Sequence, residues 1–119
     1  MAALTRIRML QRILREKYGI VGEVASRYLE AGARVRLFHP TRYGPIHVLV
    51  YKDNSRYVIE VFSEPKEVPK EVVEKLIEKA KLVKAKPILI LYGDGPKMSD
   101  DLYKFCIENR VKIRRIRAR

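Results

Sequence analysis

The sequence predicts an α/β fold, a mixed β-sheet flanked by helices and preceded by a basic N-terminal helix. Three observations predict it. Three strand-like stretches follow one another near residues 34–38, 48–51 and 57–62, with only loops between them. After Phe62 the apolar spacing changes to that of a helix, and helix and strand then alternate to the end. Residues 88–92 are apolar throughout, as in an inner strand buried on both faces. A meander followed by strand-helix-strand-helix-strand makes a mixed sheet with helices on both faces.

The elements follow in order. Leu4, Ile7, Leu10 and Leu14 recur at helical spacing, with Arg6, Arg8, Arg12, Arg15 and Lys17 on the other side. Gly19 and Gly22 are expected to interrupt this helix. A second amphipathic helix then carries Val24, Ala25, Tyr28 and Leu29, and Gly32 stops it. Residues 1–18 thus form a basic amphipathic appendage, and residues 19–119 the main domain with a basic tail. The first strand places Val35 and Leu37 on one face and Arg34 and Arg36 on the other. A loop with Pro40, Gly44 and Pro45 leads to the second strand. Residues 52–56 make a hairpin turn into the third.

Pro65 and Pro69 bracket a loop. The longest helix covers residues 69–83, with Val72, Val73, Leu76, Ile77, Ala80 and Val83 as its buried stripe. Glu71, Lys75, Glu78 and Lys79 are expected on its solvated face. Pro87 opens the apolar strand, and a Gly-Asp-Gly-Pro turn closes it. Ser99 caps a last helix whose first turn carries Asp100 and Asp101, where negative charge suits the helix dipole. Leu102, Phe105 and Cys106 face inward, Asn109 ends the helix, and residues 111–116 form the final strand.

Composition narrows the function. At 119 residues the chain suits one domain with one core. No apolar run is long enough to span a bilayer, and no secretory pattern is visible at the N-terminus, so a cytoplasmic protein is expected. The lone Cys106 excludes an intramolecular disulfide and reads as a buried structural thiol. There are 26 Lys and Arg against 14 Asp and Glu, a net charge of +12, and that imbalance points to a polyanionic partner, nucleic acid first. A membrane surface fits less well, because no helix pairs a basic face with exposed Trp or Phe. The abundance of Lys, Arg and Glu resembles that of thermophile proteins.

One acid stands out. Glu60 sits within an apolar strand, where a carboxylate is costly to bury unless paired, protonated or metal-bound. With Gly19-Ile20-Val21-Gly22-Glu23, Gly44-Pro45-Ile46-His47-Val48 and Ile59-Glu60-Val61-Phe62 in this order, the chain resembles the PD-(D/E)xK nuclease superfamily (the restriction-endonuclease-like fold), and within it the archaeal Holliday-junction resolvases. The resemblance covers residues 19–116. Gly19-Ile20-Val21-Gly22-Glu23 stands where the family has Gly-x-x-x-Glu on its first helix. Gly44-Pro45-Ile46-His47-Val48 stands where a Pro precedes the first metal-binding Asp, with His47 at the Asp position. Ile59-Glu60-Val61-Phe62 stands where the family has Glu-x-Lys, with Phe62 at the Lys position.

The resemblance implies a metal site of Glu23, His47 and Glu60, with Glu60 and His47 as catalytic candidates and Mg²⁺ or Mn²⁺ as the ion if the site is active. His47 is a poor Mg²⁺ ligand, and Phe62 can neither orient a water nor stabilise charge on a phosphate. The sequence therefore predicts a nucleic-acid-binding protein with a degenerate nuclease fold, weakly active or inactive, homodimeric as the resolvases are, with DNA ahead of RNA as partner. The alternatives are an active resolvase-like nuclease with a rearranged site, or a non-catalytic subunit of an assembly such as the archaeal tRNA-splicing endonuclease. Candidate phosphate contacts are Arg34, Arg36, Arg42 and Arg56 around the site, Arg6, Arg8, Arg12 and Arg15 on the first helix, and Arg114, Arg115, Arg117 and Arg119 in the tail.

Overall fold

Why the chain forms one sheet is visible in its strand alternation. In the computed structural model, which describes residues 2–117, the elements are α1 (Ala2–Glu30), β1 (Arg34–His39), β2 (Ile46–Lys52), β3 (Ser55–Phe62), α2 (Lys70–Val83), β4 (Lys86–Tyr92), α3 (Asp100–Glu108) and β5 (Lys112–Ile116). The side chains of Leu4 and Ile7, and the whole of Arg119, lie outside the described residues. The five strands lie in chain order, β1-β2-β3-β4-β5. The first three are antiparallel and the last three parallel, as expected of a meander followed by helical crossovers.

Side chains alternate across this sheet with a period of two. Val48, Val50, Ile59, Val61, Ile88 and Ile90 meet Val24 and Ala25 of α1 on one face. Leu49, Val58, Phe62, Leu89 and Leu91 meet Val73, Leu76 and Ala80 of α2, with Leu102 and Cys106 of α3, on the other. Cys106 is fully buried, and burial pushes its thiol pKa up, as befits a structural residue. The α1 face and the α2 face are the two surfaces on which functional side chains are placed.

The two expected N-terminal helices are the two arms of α1, and the chain reverses between them. Gly19 has φ 61 and ψ −133, a conformation that a residue with a Cβ resists. A Cβ on Gly22 would lie 2.0 Å from the carbonyl oxygen of Leu14. In a continuous helix, residues eight apart are about 12 Å apart. Gln11, only 8% exposed, donates from Nε2 to the Ser26 carbonyl at 3.3 Å and to Glu30 Oε2 at 3.4 Å. Residues 2–18 therefore run back along residues 20–30. Gly22 is not an interruption, as expected from sequence, but the point where two backbones touch.

The remaining caps and turns follow local chemistry. Asp53 and Asn54, with φ 51 and 64, form a two-residue hairpin turn, tighter than the predicted one. Ser99 Oγ accepts from the Leu102 N–H at 3.2 Å, as its place before Asp100 and Asp101 predicts. Pro69 occupies the N-cap position of α2 without a side-chain capping bond, and Lys84 ends the helix in the left-handed region.

Candidate functional site

The β2–β3 ladder stops at Val48↔Ile59. His47 and Glu60 would form the next pair. Instead, the Val61 N–H donates to His47 Nδ1 at 2.9 Å, so an imidazole takes a bond that a strand carbonyl would otherwise accept. Since Nδ1 accepts, the proton of the neutral ring sits on Nε2. Nε2 faces Glu60 Oε2 at 3.4 Å. Burial lowers the His47 pKa, the Glu60 carboxylate opposes this, and the Lys79 ammonium adds to the lowering. A neutral His47 with its proton toward Glu60 satisfies all these contacts.

Lys79 completes the group. Its Nζ lies 3.1 Å from Glu60 Oε1 and 3.0 Å from the Pro45 carbonyl oxygen. Its side chain is 6% exposed and that of Glu60 14% exposed. The expectation of a solvated Lys79 is thereby corrected, for Lys79 reaches under the β2–β3 notch from the rim of the buried stripe of α2. Lys75, by contrast, lies on the solvated face and pairs with Glu71 at 2.9 Å. The loop before β2 is shaped to receive the ammonium. Thr41 Oγ1 donates to the Gly44 carbonyl at 2.6 Å and accepts from the Tyr43 N–H at 3.1 Å. Gly44, at φ 101, lets that loop turn over the Lys79 stem.

Glu23 is not brought to this group. It belongs to the α1 face, where its carboxylate accepts from the Tyr92 hydroxyl. That bond raises the Tyr92 pKa. Glu60 faces α2, on the other side of the sheet. Phe62 is 8% exposed and fills the core between β3 and α2. Phe38, aligned with His47 on β1, stands edge-on to the imidazole at 6.0 Å and carries a φ of 51. Positive φ at a bulky residue is strained, and this strain sits beside the site.

A hard divalent cation needs several free oxygen ligands. The residues that the family pattern nominates do not fit one as they stand. Glu60 spends one oxygen on Lys79 and turns the other to His47, the imine nitrogen of His47 accepts from Val61, and Glu23 lies across the sheet. Among the described residues, no three His, Cys, Asp or Glu side chains lie close enough to share a metal.

The basic candidates fall on separate surfaces. Arg6, Arg8, Arg12 and Arg15 are exposed along the first arm of α1. Arg34 and Arg36 are exposed on β1, Arg34 over the Tyr51 ring at 5.6 Å. Arg42 lies over Tyr43 at 5.5 Å. Arg56 donates to the Val83 carbonyl at 3.0 Å, on the last turn of α2. Arg115 ties down the turn after β4 by donating to Pro96 at 2.7 Å, and Arg117 pairs with Asp94 in the same turn. Arg114 is exposed on β5. Sequence reasoning missed Lys79 as a partner of Glu60 and Tyr92 as a partner of Glu23. Lys79 had a signal, a cation at the edge of an apolar stripe facing a strand with one unpaired acid.

No protein-family model matches the chain, and no curated protein matches it in sequence. Solved structures do match in fold. A repair endonuclease from Pyrococcus abyssi superposes with a TM-score of 0.60 at 18% identity, over 76% of this chain and 41% of that one. SfsA from Pyrococcus furiosus, solved with Ca²⁺, superposes with a TM-score of 0.60 at 14% identity, over 78% of this chain and 54% of that one. A protein of unknown function, AF1548, gives 0.61 at 15% identity, over 77% and 54%. This chain thus spans about half the length of these proteins or less. At such identities the likeness is one of fold: the mixed five-stranded sheet with its flanking helices is the architecture this chain shares with them.

Proposed function

We propose that this protein binds nucleic acid, DNA in preference to RNA, through phosphate contacts on a nuclease-like fold, and that it cleaves weakly or not at all. The observation that carries the second half is the closed group of Glu60, Lys79 and His47. The ammonium of Lys79 lies between a carboxylate and a backbone carbonyl, a position suited to a bound cation. A charge already balanced there has little to gain from a metal ion, which would have to displace Lys79 into a space where its stem is buried. The net charge of +12 supports the first half, because each phosphate neutralised by Lys or Arg releases counterions. The test is binding of labelled DNA across a salt series. A protein contacting several phosphates loses affinity steeply, with a slope of about −0.9 per contact on duplex; a flat response would overturn the proposal. The resolvase resemblance adds a homodimer, which light scattering of the free protein checks.

A second reading draws support from the same lysine. In an active nuclease with a rearranged site, Lys79 would take the part of the lysine that Phe62 replaces, beside the carboxylate of Glu60. Cleavage dependent on Mg²⁺ or Mn²⁺ and abolished in both Lys79→Met and Glu60→Gln would decide for it.

A further inference from the structure

On the α1 face, helix α1 packs over β1, β2 and β3 and buries Ile88 and Ile90 of β4, while Lys112 and Arg114 of β5 stay exposed beside it. Between the Tyr28–Ala31 end of α1 and the starts of β4 and β5 lies a groove of about 750 Å³. Its rim carries Lys52, Lys86, Arg110, Lys112 and Arg114, and among the described residues no acid lines it. Register explains the clustering. Tyr57 pairs with Lys86, Ile88 with Lys112, and Ile90 with Arg114, so these side chains stand in rows on one face. Val50 and Ile88 make an apolar floor, and Tyr28 and Tyr57 project beside it. Lys86 Nζ lies over the Tyr57 ring at 5.9 Å. Tyr28 packs partly buried against the core beneath, and that burial raises its pKa despite the nearby Arg114.

Five cations without an acid select an anion, and an apolar floor with two tyrosines selects something flat and aromatic. One polymer joins both chemistries at short intervals. We infer that this groove binds a single-stranded nucleic-acid segment, its bases stacked against Tyr57 and Tyr28 and its phosphates held by Lys112, Arg114 and Lys86. A duplex hides its base faces and fits such a groove poorly, whereas sequence-tolerant stacking beside a basic track is the usual physics of single-strand binding. The inference rests on the nucleic-acid reading above and gives it a place, on the opposite face of the sheet from Glu60.

The test is fluorescence anisotropy with labelled oligo-dT and with a blunt duplex of equal length, on the full chain. Wild type should bind both. Lys112→Glu/Arg114→Glu should weaken oligo-dT at least tenfold and reduce its salt slope by about 1.4, two phosphates at about 0.7 each. Tyr57→Leu should weaken oligo-dT about tenfold and leave the salt slope unchanged. The control, Lys81→Glu/Lys104→Glu, makes the same charge change on α2 and α3. Equal losses in the control and groove variants would mean a general field effect and overturn the groove. Photocrosslinking of a bromouracil-substituted strand to wild type needs no variant, and adducts should map to Tyr28 or Tyr57; adducts confined to other elements would overturn it. If duplex binds and oligo-dT does not, the groove fails while the broader reading stands. If neither binds at low salt, both fail.

Discussion

Replacing Lys79 by Met retains most of the buried stem and removes the ammonium, both its charge and its N–H donors. Glu60, 14% exposed, then keeps a carboxylate with one partner, His47, and the Pro45 carbonyl loses its donor. Removing one member of a buried ion pair costs about 3–5 kcal/mol; the residual exposure of Glu60 places this case near the lower end. With an unfolding entropy of about 2.1 cal/mol/K per residue, a 119-residue chain has on the order of 0.25 kcal/mol/K. A loss of about 3 kcal/mol therefore lowers Tm by about 12 °C. Glu60→Leu strands the buried ammonium and should cost a similar amount. If the two residues were independent, the double variant would lose about 6 kcal/mol. Since it removes both charges together, it should lose about 3 kcal/mol or less, a coupling of at least about 3 kcal/mol. Urea denaturation of the four proteins measures this. A Lys79→Met loss below about 0.5 kcal/mol, or simple additivity, would refute the closed ionic group.

Other outcomes follow from the same geometry. The folded-state pKa of His47 lies below its ordinary value of 6.5, so below that pH the unfolded chain binds more protons and stability falls as pH drops. The contribution is present above pH 6.5, and His47→Gln should flatten the fall of stability as pH drops below about 6.5, as urea melts at several pH values would show. Gly22→Ala drives a Cβ into the Leu14 carbonyl and should separate the two arms of α1. Hydrogen exchange should then quicken across residues 2–18 while the sheet stays protected, at a cost of about 1–3 kcal/mol. Ser99→Ala removes the α3 cap and should cost about 1 kcal/mol in a thermal melt.

The fold was legible because its signals were local and repeated. Alternation in β1 to β3, the unbroken apolar run of β4, and the Ser99 cap each follow from one stretch of chain, and five strands in chain order leave few ways to assemble them. What escaped depends on tertiary geometry. Gly19 and Gly22 announced a break, but whether the chain stops, kinks or reverses depends on contacts such as that of Gln11 with Ser26, fifteen residues on. Lys79 lies seven residues after Val72 and four before Val83, at the margin of the apolar stripe, where a long side chain can turn inward or outward. Only the position of Glu60 across the sheet-helix interface decides it. Glu23 illustrates the converse. Its spacing from Gly19 matches the family motif, yet helix α1 carries it to Tyr92 rather than to Glu60. The basic groove draws on β2, β3, β4 and β5 at once, so no single window of sequence contains it.

The central claim is that the fold serves binding while the group at Glu60 is closed to metal-dependent cleavage. The most direct measurement is one assay of binding and cleavage with labelled four-way junction, duplex, single-stranded DNA and a structured RNA, with and without Mg²⁺ or Mn²⁺. The account predicts salt-sensitive binding to DNA and intact strands under every metal condition. Metal-dependent cleavage that disappears in Glu60→Ala would contradict it, and would make Lys79 and Glu60 parts of a working active site.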